Sequence, residues 1–388
     1  KMEKYGETYE RRPLYLAYIS SKENIKNIDL IRKNNLSNAG VIKKEINSSI
    51  NKDIAIVWLS YNVHGNESSS TEASMKTLYL LLTKNSNLLD NTIVIIDPCV
   101  NPDGRDRYAN WYNQTVTIPY NTNSKSREHD EPWPGGRANH YLYDLNRDWA
   151  WITQTESKSR LKIYNKWLPH VHVDYHEQGI DNPYYFAPAV EPYHEIISKW
   201  QRDFQKEIGK NNAKYFDQNG WLYFTKETFD LLYPSYGDTY PTYLGAIGMT
   251  YEKAGGGVAG LGILNSENKV LTLVDRVNHH TTTGISTVEI SSINAKKLND
   301  EFKLFFNNNS EVKNYILRGE KDKIDTLKEL LDQHEIIYSS GKSNKTSAYS
   351  YNKNENENIE IKNSDLIISV NQSKGKLVDV LFEQNAKL

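Results

Sequence analysis

The hydrophobic pattern along the front of the chain alternates short apolar runs with longer segments of helical periodicity. Residues 53–60 and 92–97 are nearly continuous apolar runs of strand length, as in a sheet that is covered on both faces. The other predicted elements are strands at 168–176 and 245–252 and helices at 69–83, 192–211 and 267–290. This alternation of strands and helices predicts an α/β fold, with a central sheet that carries helices on both faces.

The end of the chain differs in composition. None of the eight tryptophans lies in the last hundred residues, which contain a single histidine, His334. The shift predicts a domain boundary between about Asn294 and Asn309. We therefore expect a main domain at 1–300 and a small C-terminal α/β module at 301–388, with a pattern that suits a ferredoxin-like fold. Its β-rich end would also suit a carbohydrate-binding module, but the lack of tryptophan argues against that alternative.

Composition and charge exclude several classes of protein. The 47 Lys and Arg residues nearly balance the 49 Asp and Glu residues, whereas a nucleic-acid binder usually carries a strongly basic stripe. The longest apolar runs fall far short of the about 20 residues that a membrane span needs. The single cysteine, Cys99, excludes an internal disulfide and a cysteine-built zinc finger. Any metal must therefore be bound by histidines and carboxylates.

The sharpest local signal is an HxxE motif, His64 and Glu67, which directly follows the first predicted strand. In a loop at the end of a strand, both side chains can turn toward one cation. Zinc accepts imidazole nitrogen and carboxylate oxygen, and a catalytic zinc site keeps one position for water. Because HxxE occurs often by chance, an exposed histidine near a solvated glutamate is the default interpretation of this motif alone.

Three further motifs accompany HxxE: the segment GRxNxxxxDLNR at 136–147, His176 at the end of a predicted strand, and Glu252 at the end of another. In this order, the four motifs resemble the zinc carboxypeptidase family, the carboxypeptidase A-like metallopeptidases. The resemblance covers about residues 5–290 and is closest to large bacterial members. It implies a mixed, mostly parallel central sheet and an enzyme that uses zinc to hydrolyse the C-terminal peptide bond of peptides or proteins.

The resemblance implies that one Zn²⁺ per chain is bound by His64, Glu67 and His176. His172 competes with His176 for the third place, because both positions lie on one face of the same predicted strand. Four residues of strand span about 13 Å, so both histidines cannot easily bind one ion. The family pattern favours His176, and His172 is expected to be a packed or hydrogen-bonded core histidine.

The same resemblance assigns three side chains to the chemistry. Glu252 matches the general base, which takes a proton from the attacking water and passes it to the leaving amine. Arg137 matches the arginine that stabilises the oxyanion of the tetrahedral intermediate. Asp144 matches the carboxylate that orients the first zinc-binding histidine.

Substrate binding is assigned in the same way. Asn146 and Arg147 resemble the pair that binds the free C-terminal carboxylate of the substrate, since an amide and a guanidinium fork suit a planar anion. Tyr233 is the candidate for the tyrosine that caps the substrate, and Tyr236 is its rival. The loop that carries both tyrosines is shorter than the usual family version. The sequence therefore leaves the preferred C-terminal residue open.

Two other functions would use the same fold. A zinc amidase acting on cell-wall or γ-linked peptides would share the catalytic core, and a peptide-binding pseudoenzyme would keep the fold without activity. Retention of the three ligand candidates, Glu252 and both arginines argues against the pseudoenzyme. The expected partner is a peptide or protein with a free C-terminus. Because the chain opens with Lys1 rather than methionine, an upstream segment is expected, and a secreted or periplasmic location is favoured.

Overall fold

Eight strands form one mixed sheet in the computed structural model, which describes residues 1–43, 53–307 and 310–386. In chain order they are β1 (Met2–Glu7), β2 (Pro13–Ile19), β3 (Ala55–Tyr61), β4 (Thr92–Asp97), β5 (Val171–Gln178), β6 (Tyr184–Tyr185), β7 (Tyr223–Phe224) and β8 (Ile247–Ala254). Their order across the sheet is β1-β2-β4-β3-β5-β8-β6-β7. The central strands β4, β3, β5 and β8 run parallel, whereas β1 with β2, β2 with β4 and β6 with β8 pair antiparallel. The predicted mixed, mostly parallel sheet is confirmed.

Helices lie on both faces of this sheet. Those described up to residue 307 are α1 (Lys22–Lys26), α2 (Ile28–Asn38), α3 (Ser69–Thr83), α4 (Pro102–Thr115), α5 (Thr155–Asn165), α6 (Lys199–Asn219), α7 (Thr239–Tyr243), α8 (Leu273–Ile293) and α9 (Ala295–Phe305). Val57 and Leu59 of β3 pack in one apolar cluster with α3, α6 and α8. Ile56 and Trp58 pack in a second cluster with α2 and α5. Because successive side chains of a strand point to opposite faces and both faces are covered, β3 is buried throughout and apolar except at Ser60.

The strands that bear His176 and Glu252 begin later than the sequence pattern predicts. The predicted strands start at residues 168 and 245, whereas β5 and β8 start a few residues further along the chain. Leu168 and Gly245 have positive φ angles of 44° and 94°, so the chain turns at these residues before extended backbone begins. Both strands also extend past the predicted ends, so His176 and Glu252 lie within their strands.

The two long helices are also displaced toward the C-terminus relative to their predicted bounds. A capping box of Ser198 and Gln201 begins α6, and Gly220 ends it with a left-handed φ angle of 66°. A second capping box, Thr272 with Asp275, begins α8. Before it, β9 (Gly262–Leu264) and β10 (Val270–Thr272) pair as a hairpin, so residues at the start of the predicted helix are extended. Capping by side chains therefore decides both starts.

The C-terminal segment contains β11 (Asn314–Leu317), α10 (Lys321–Gln333), β12 (Tyr338–Ser340), β13 (Asn344–Ser350), β14 (Glu355–Ile361), β15 (Leu366–Ser369) and α11 (Gly375–Phe382). Strand β15 lies between β11 and β12 and pairs antiparallel with both. This is the split β-α-β arrangement of ferredoxin-like folds, and β13 with β14 forms a separate hairpin. Leu331, Ile368 and Leu377 pack in the same apolar cluster as Trp58.

The division of the chain into two domains stays a prediction. Residues 300 and 301 both lie in α9, so the secondary structure is continuous at the predicted division. The predicted boundary region also includes residues 308–309, which lie outside the described residues. Among the helices that the structure describes, none combines the length and apolar character needed to cross a membrane.

Candidate metal centre and active site

The parallel strands β3, β5 and β8 are neighbours, and their carboxyl ends meet at one edge of the sheet. His64 follows β3, His176 lies near the end of β5, and Glu252 lies near the end of β8. His176 and Glu252 are direct partners in the register of β5 and β8. The sheet therefore brings together residues that are far apart in sequence, as is common for sites in open α/β sheets.

His64, Glu67 and His176 form a compact, buried cluster of metal donors. One ligand atom from each lies within 4.8 Å of the others. Nδ1 of His64 is 2.8 Å from Oε1 of Glu67, and Nδ1 of His176 is 3.0 Å from Oε2 of Glu67. Although burial opposes it, the neighbouring imidazoles hold the pKa of Glu67 well below its usual range. Two imidazole nitrogens and one carboxylate oxygen suit zinc, so the donor set fits the predicted ion.

Asp144 fixes the orientation of His64. Its Oδ1 lies 3.0 Å from Nε2 of His64, and its Oδ2 accepts a hydrogen bond from Nη2 of Arg137 at 2.8 Å. Against the effect of burial, these two partners hold the pKa of Asp144 below its usual range. An ionised Asp144 accepts the Nε2 proton of His64, which leaves Nδ1 free for a metal. The contact supports the predicted role of Asp144.

His172 lies outside the donor cluster. Its side chain is fully buried, and its Nε2 is 2.8 Å from Oδ1 of Asp174. The ring also packs near Trp58 and Trp149, with centroid separations of 6.4 and 5.6 Å. The structure therefore places His172 as the hydrogen-bonded core histidine that the sequence predicts, and places His176 in the cluster.

Glu252 is buried beside the donor cluster. Burial raises its pKa to about 8, and the charge of Glu67 adds to this, while the charge of His176 opposes it. With this pKa, the Glu252 carboxyl group can both accept and release a proton near neutral pH. Its position next to His176 therefore suits proton transfer at this site.

A cavity of about 370 Å³ opens over these residues. Its lining consists of His64, Glu67, Arg137, Asn146, Arg147, His176, Glu177, Gln178, Thr228, Phe229, Asp230, Tyr236, Asp238, Thr250 and Glu252. Every predicted catalytic and metal-binding residue is in this set, as are both candidates for binding the substrate carboxylate. All of the lining residues precede the C-terminal segment.

The short turn Leu145–Arg147 positions the two residues predicted to bind the substrate carboxylate. The guanidinium of Arg147 lies over the ring of Tyr236, 4.5 Å from its centroid, and Nη1 donates to the carbonyl oxygen of Asn146 at 2.9 Å. Oδ1 of Asn146 accepts from the backbone N–H of Gly237 at 2.8 Å. Stacking and hydrogen bonding thus hold Arg147 and Asn146 at the cavity wall.

Tyr233 and Tyr236 have different surroundings. Tyr236 lines the cavity, whereas Tyr233 is absent from its described lining. The hydroxyl of Tyr233 accepts a hydrogen bond from Nε1 of Trp151 at 2.8 Å. The two tyrosine rings pack edge to face, with centroids 4.9 Å apart. The assignment of Tyr233 as the tyrosine that caps the substrate stays a prediction. Its rival, Tyr236, is the tyrosine that lines the cavity.

Among the carboxylates near the site that were not assigned from the sequence are Asp238 and Asp174. Asp238 lines the cavity, and burial raises its pKa to about 7. Asp174 lies under the loop before α7, where a Cβ added at Gly237 would come within 1.7 Å of Asp174 Oδ2. Gly237 thus permits a close approach that no other residue allows. Asp238 follows this glycine directly, which is the only local signal that could have pointed to it.

The sheet order and the donor set at the ends of its parallel strands define a metallocarboxypeptidase-type fold. The profile of the zinc carboxypeptidase family, Peptidase_M14, matches residues 1–213, and the chain belongs to this family. The matched region contains His64, Glu67 and His176 but ends before Glu252. No curated protein sequence matches the chain.

Solved structures with a similar fold include a metallo-carboxypeptidase from Burkholderia cenocepacia, with 14% identity, a TM-score of 0.50 and coverage of 76% of this chain and 65% of that chain. A metallo-carboxypeptidase from Pseudomonas aeruginosa, in complex with (2-guanidinoethylmercapto)succinic acid, has 11% identity, a TM-score of 0.49 and coverage of 76% and 65%. Carboxypeptidase A from Helicoverpa armigera has 16% identity, a TM-score of 0.44 and coverage of 78% and 68%. The chain thus spans 65% of the first structure's length, and identity this low indicates a shared fold only.

Proposed function

We propose that the protein is a zinc-dependent metallocarboxypeptidase that hydrolyses the C-terminal peptide bond of peptides or proteins. The observation that carries this proposal is the content of one cavity. It holds the His64, Glu67 and His176 donor set, a buried carboxyl group at Glu252, and the two arginines predicted to bind anionic groups. Family membership supports the same chemistry.

The proposed roles follow from the chemistry of each side chain. His64, Glu67 and His176 would hold the zinc ion, which supplies Lewis acidity for the substrate carbonyl and lowers the pKa of water. Glu252 takes a proton from the attacking water on a carboxylate oxygen and later donates it to the leaving amine. The guanidinium of Arg137 donates hydrogen bonds to the oxyanion that develops on the carbonyl oxygen.

Recognition of a free C-terminus distinguishes this function from its alternatives. We expect wild-type protein to cleave a peptide acid, and to cleave the matching peptide amide about 10- to 150-fold less efficiently, because the amide loses a charge-assisted contact with Arg147. Arg147→Lys keeps the charge but loses the planar fork, so its cleavage of the peptide acid should fall within the same range. Measuring kcat/KM for both peptides with both proteins tests this.

The same measurement separates the other candidates. Equal cleavage of the peptide acid and the peptide amide would favour the zinc amidase over the carboxypeptidase. Binding of peptide without cleavage, in protein loaded with zinc, would favour the pseudoenzyme. A surface variant, Lys269→Met, is a suitable control, because Lys269 pairs with Glu267 on an exposed turn and is not among the residues that line the cavity.

We also propose a preference for substrates with a basic C-terminal side chain. Asp238 lines the cavity and accepts a hydrogen bond from Thr239 Oγ1 at 3.0 Å, and no ion pair to it is found within the described residues. A substrate cation would provide the missing partner. We expect kcat/KM for a peptide ending in lysine to exceed that for one ending in norleucine roughly tenfold or more.

Norleucine is the matched control for this preference, because it keeps the aliphatic chain of lysine and removes the charge. In Asp238→Asn the ratio of the two rates should approach one, while zinc content stays unchanged. A wild-type protein that cleaves both peptides equally would refute the preference without affecting the proposed carboxypeptidase activity.

Three expectations about the whole protein remain proposals. We infer that the C-terminal segment contributes no catalytic side chain, which the described lining of the cavity supports. A secreted or periplasmic location is retained as the favoured one. The proposed partner is a peptide or protein with a free C-terminus.

A further inference from the structure

His334 joins the C-terminal segment to the main sheet domain. It caps the end of α10 and is fully buried. Its Nε2 lies 2.9 Å from the carbonyl oxygen of Ala150, which can only accept, so Nε2 carries the proton. Its Nδ1 therefore accepts from the hydroxyl of Tyr240, at 2.7 Å. Burial lowers the pKa of His334 to about 4, which keeps the ring neutral near neutral pH.

The two partners of His334 belong to the two segments that form one wall of the cavity. Ala150 ends the segment 146–150, which includes both candidates for binding the substrate carboxylate. Tyr240 lies in α7, directly after the loop 233–238 that carries the candidate capping tyrosines. A single buried histidine from the C-terminal segment thus contacts both parts of the substrate-binding wall.

Within the main domain, a small set of hydrogen bonds holds these two segments together. The hydroxyl of Ser235 donates to the carbonyl oxygen of Arg147 at 2.8 Å and accepts from the N–H of Ala150 at 2.9 Å. The N–H of Gly237 donates to Asn146 at 2.8 Å. The contacts of Ser235 and Gly237 lie beside the cavity, and His334 supplies a further connection through Ala150 on the buried side.

We propose that His334 is a positioning residue for the substrate carboxylate, which holds the segment 146–150 at a fixed separation from α7. This inference rests on the proposed carboxypeptidase function. Removing the imidazole would leave the Tyr240 hydroxyl and the Ala150 carbonyl buried without a partner, and both would have to move to regain one. Such a movement would displace Arg147 and Asn146 and weaken their contacts with the substrate carboxylate, which raises KM more than it lowers kcat.

Lys374 provides a matched control in the same interface. Its side chain is buried, and Nζ donates to Oδ1 of Asn165 at 2.6 Å. Nδ2 of Asn165 in turn donates to the carbonyl oxygen of Gln333 at 3.2 Å. Lys374→Met therefore weakens the attachment of the C-terminal segment at α5, outside both segments of the cavity wall.

The test compares wild type, His334→Phe, Tyr240→Phe and Lys374→Met in the full chain loaded with zinc. We expect His334→Phe to raise KM for a peptide acid roughly tenfold, with kcat changed less than about threefold and the preference for acid over amide reduced. Tyr240→Phe removes one of the two bonds and should give a smaller change in the same direction. Lys374→Met should lower the melting temperature without changing KM.

Amide hydrogen exchange of the same four proteins gives a readout that does not depend on activity. Residues 146–150 and 233–240 should exchange faster in His334→Phe but not in Lys374→Met. Unchanged KM and unchanged exchange in His334→Phe would overturn the inference, and if that variant does not fold, Tyr240→Phe decides in the same way. If wild type cleaves no peptide acid, the proposed function fails, and the exchange result alone then supports or overturns the role of His334.

Discussion

Glu252→Gln is expected to lower kcat by about three orders of magnitude while zinc content and peptide affinity stay close to those of wild type. Glutamine has nearly the same shape as glutamate but cannot take a proton from the attacking water. Glu252 is buried next to His176, so the substitution removes the proton-accepting oxygen without opening space in the cavity. Steady-state kinetics, metal analysis and calorimetric titration with a peptide acid measure the three quantities.

Glu72→Gln is the matched control for this substitution. Glu72 pairs with Arg105 on the surface near the start of α3, so its replacement should leave turnover unchanged. If Glu252→Gln retained more than about a tenth of wild-type kcat, another group would have to move the proton, and the proposed role of Glu252 would be wrong.

The second large effect is expected on zinc content when a ligand histidine is replaced. His176→Ala should lose most of the zinc that wild type retains, because it removes one of three protein ligands. His172→Ala should retain it, since His172 bonds Asp174 and lies outside the donor cluster. Metal analysis of the dialysed, folded proteins measures this directly.

Comparison of the two histidine variants also controls for damage to the strand. Both residues lie in β5 and are buried, so general destabilisation should affect them similarly. Circular dichroism establishes that each variant is folded before its metal is measured. Equal loss of zinc in both variants, or loss only in His172→Ala, would contradict the assignment of His176 as a ligand.

The positions of the central strands could be predicted from the sequence where a strand is buried on both faces and is therefore mostly apolar. β4 matches its predicted range, and β3 differs only at its ends, since both are apolar on two faces. The starts of β5 and β8 were not predictable from apolar character, because Leu168 and Gly245 belong to turns. Hydrophobicity locates a strand approximately, and backbone conformation sets where it begins.

The candidate metal centre was predictable from local motifs combined with a family resemblance. HxxE places His64 and Glu67 a few residues apart, so one short loop can present both side chains. His176 lies far along the chain, and its approach to them depends on the parallel pairing of β3 with β5. The sequence suggested the third ligand only through the order of the motifs.

The sequence by itself determined the class of the fold and the kind of donors a metal would find. Apolar runs in the sequence indicate the buried strands, and the candidate histidines and carboxylates can be read directly from short motifs. Only the tertiary structure decided that Tyr236 rather than Tyr233 lines the cavity, that Asp238 faces it, and that His334 reaches its wall from another segment. These relations depend on side-chain direction and on packing between distant segments, and neither leaves a periodic signal along the chain.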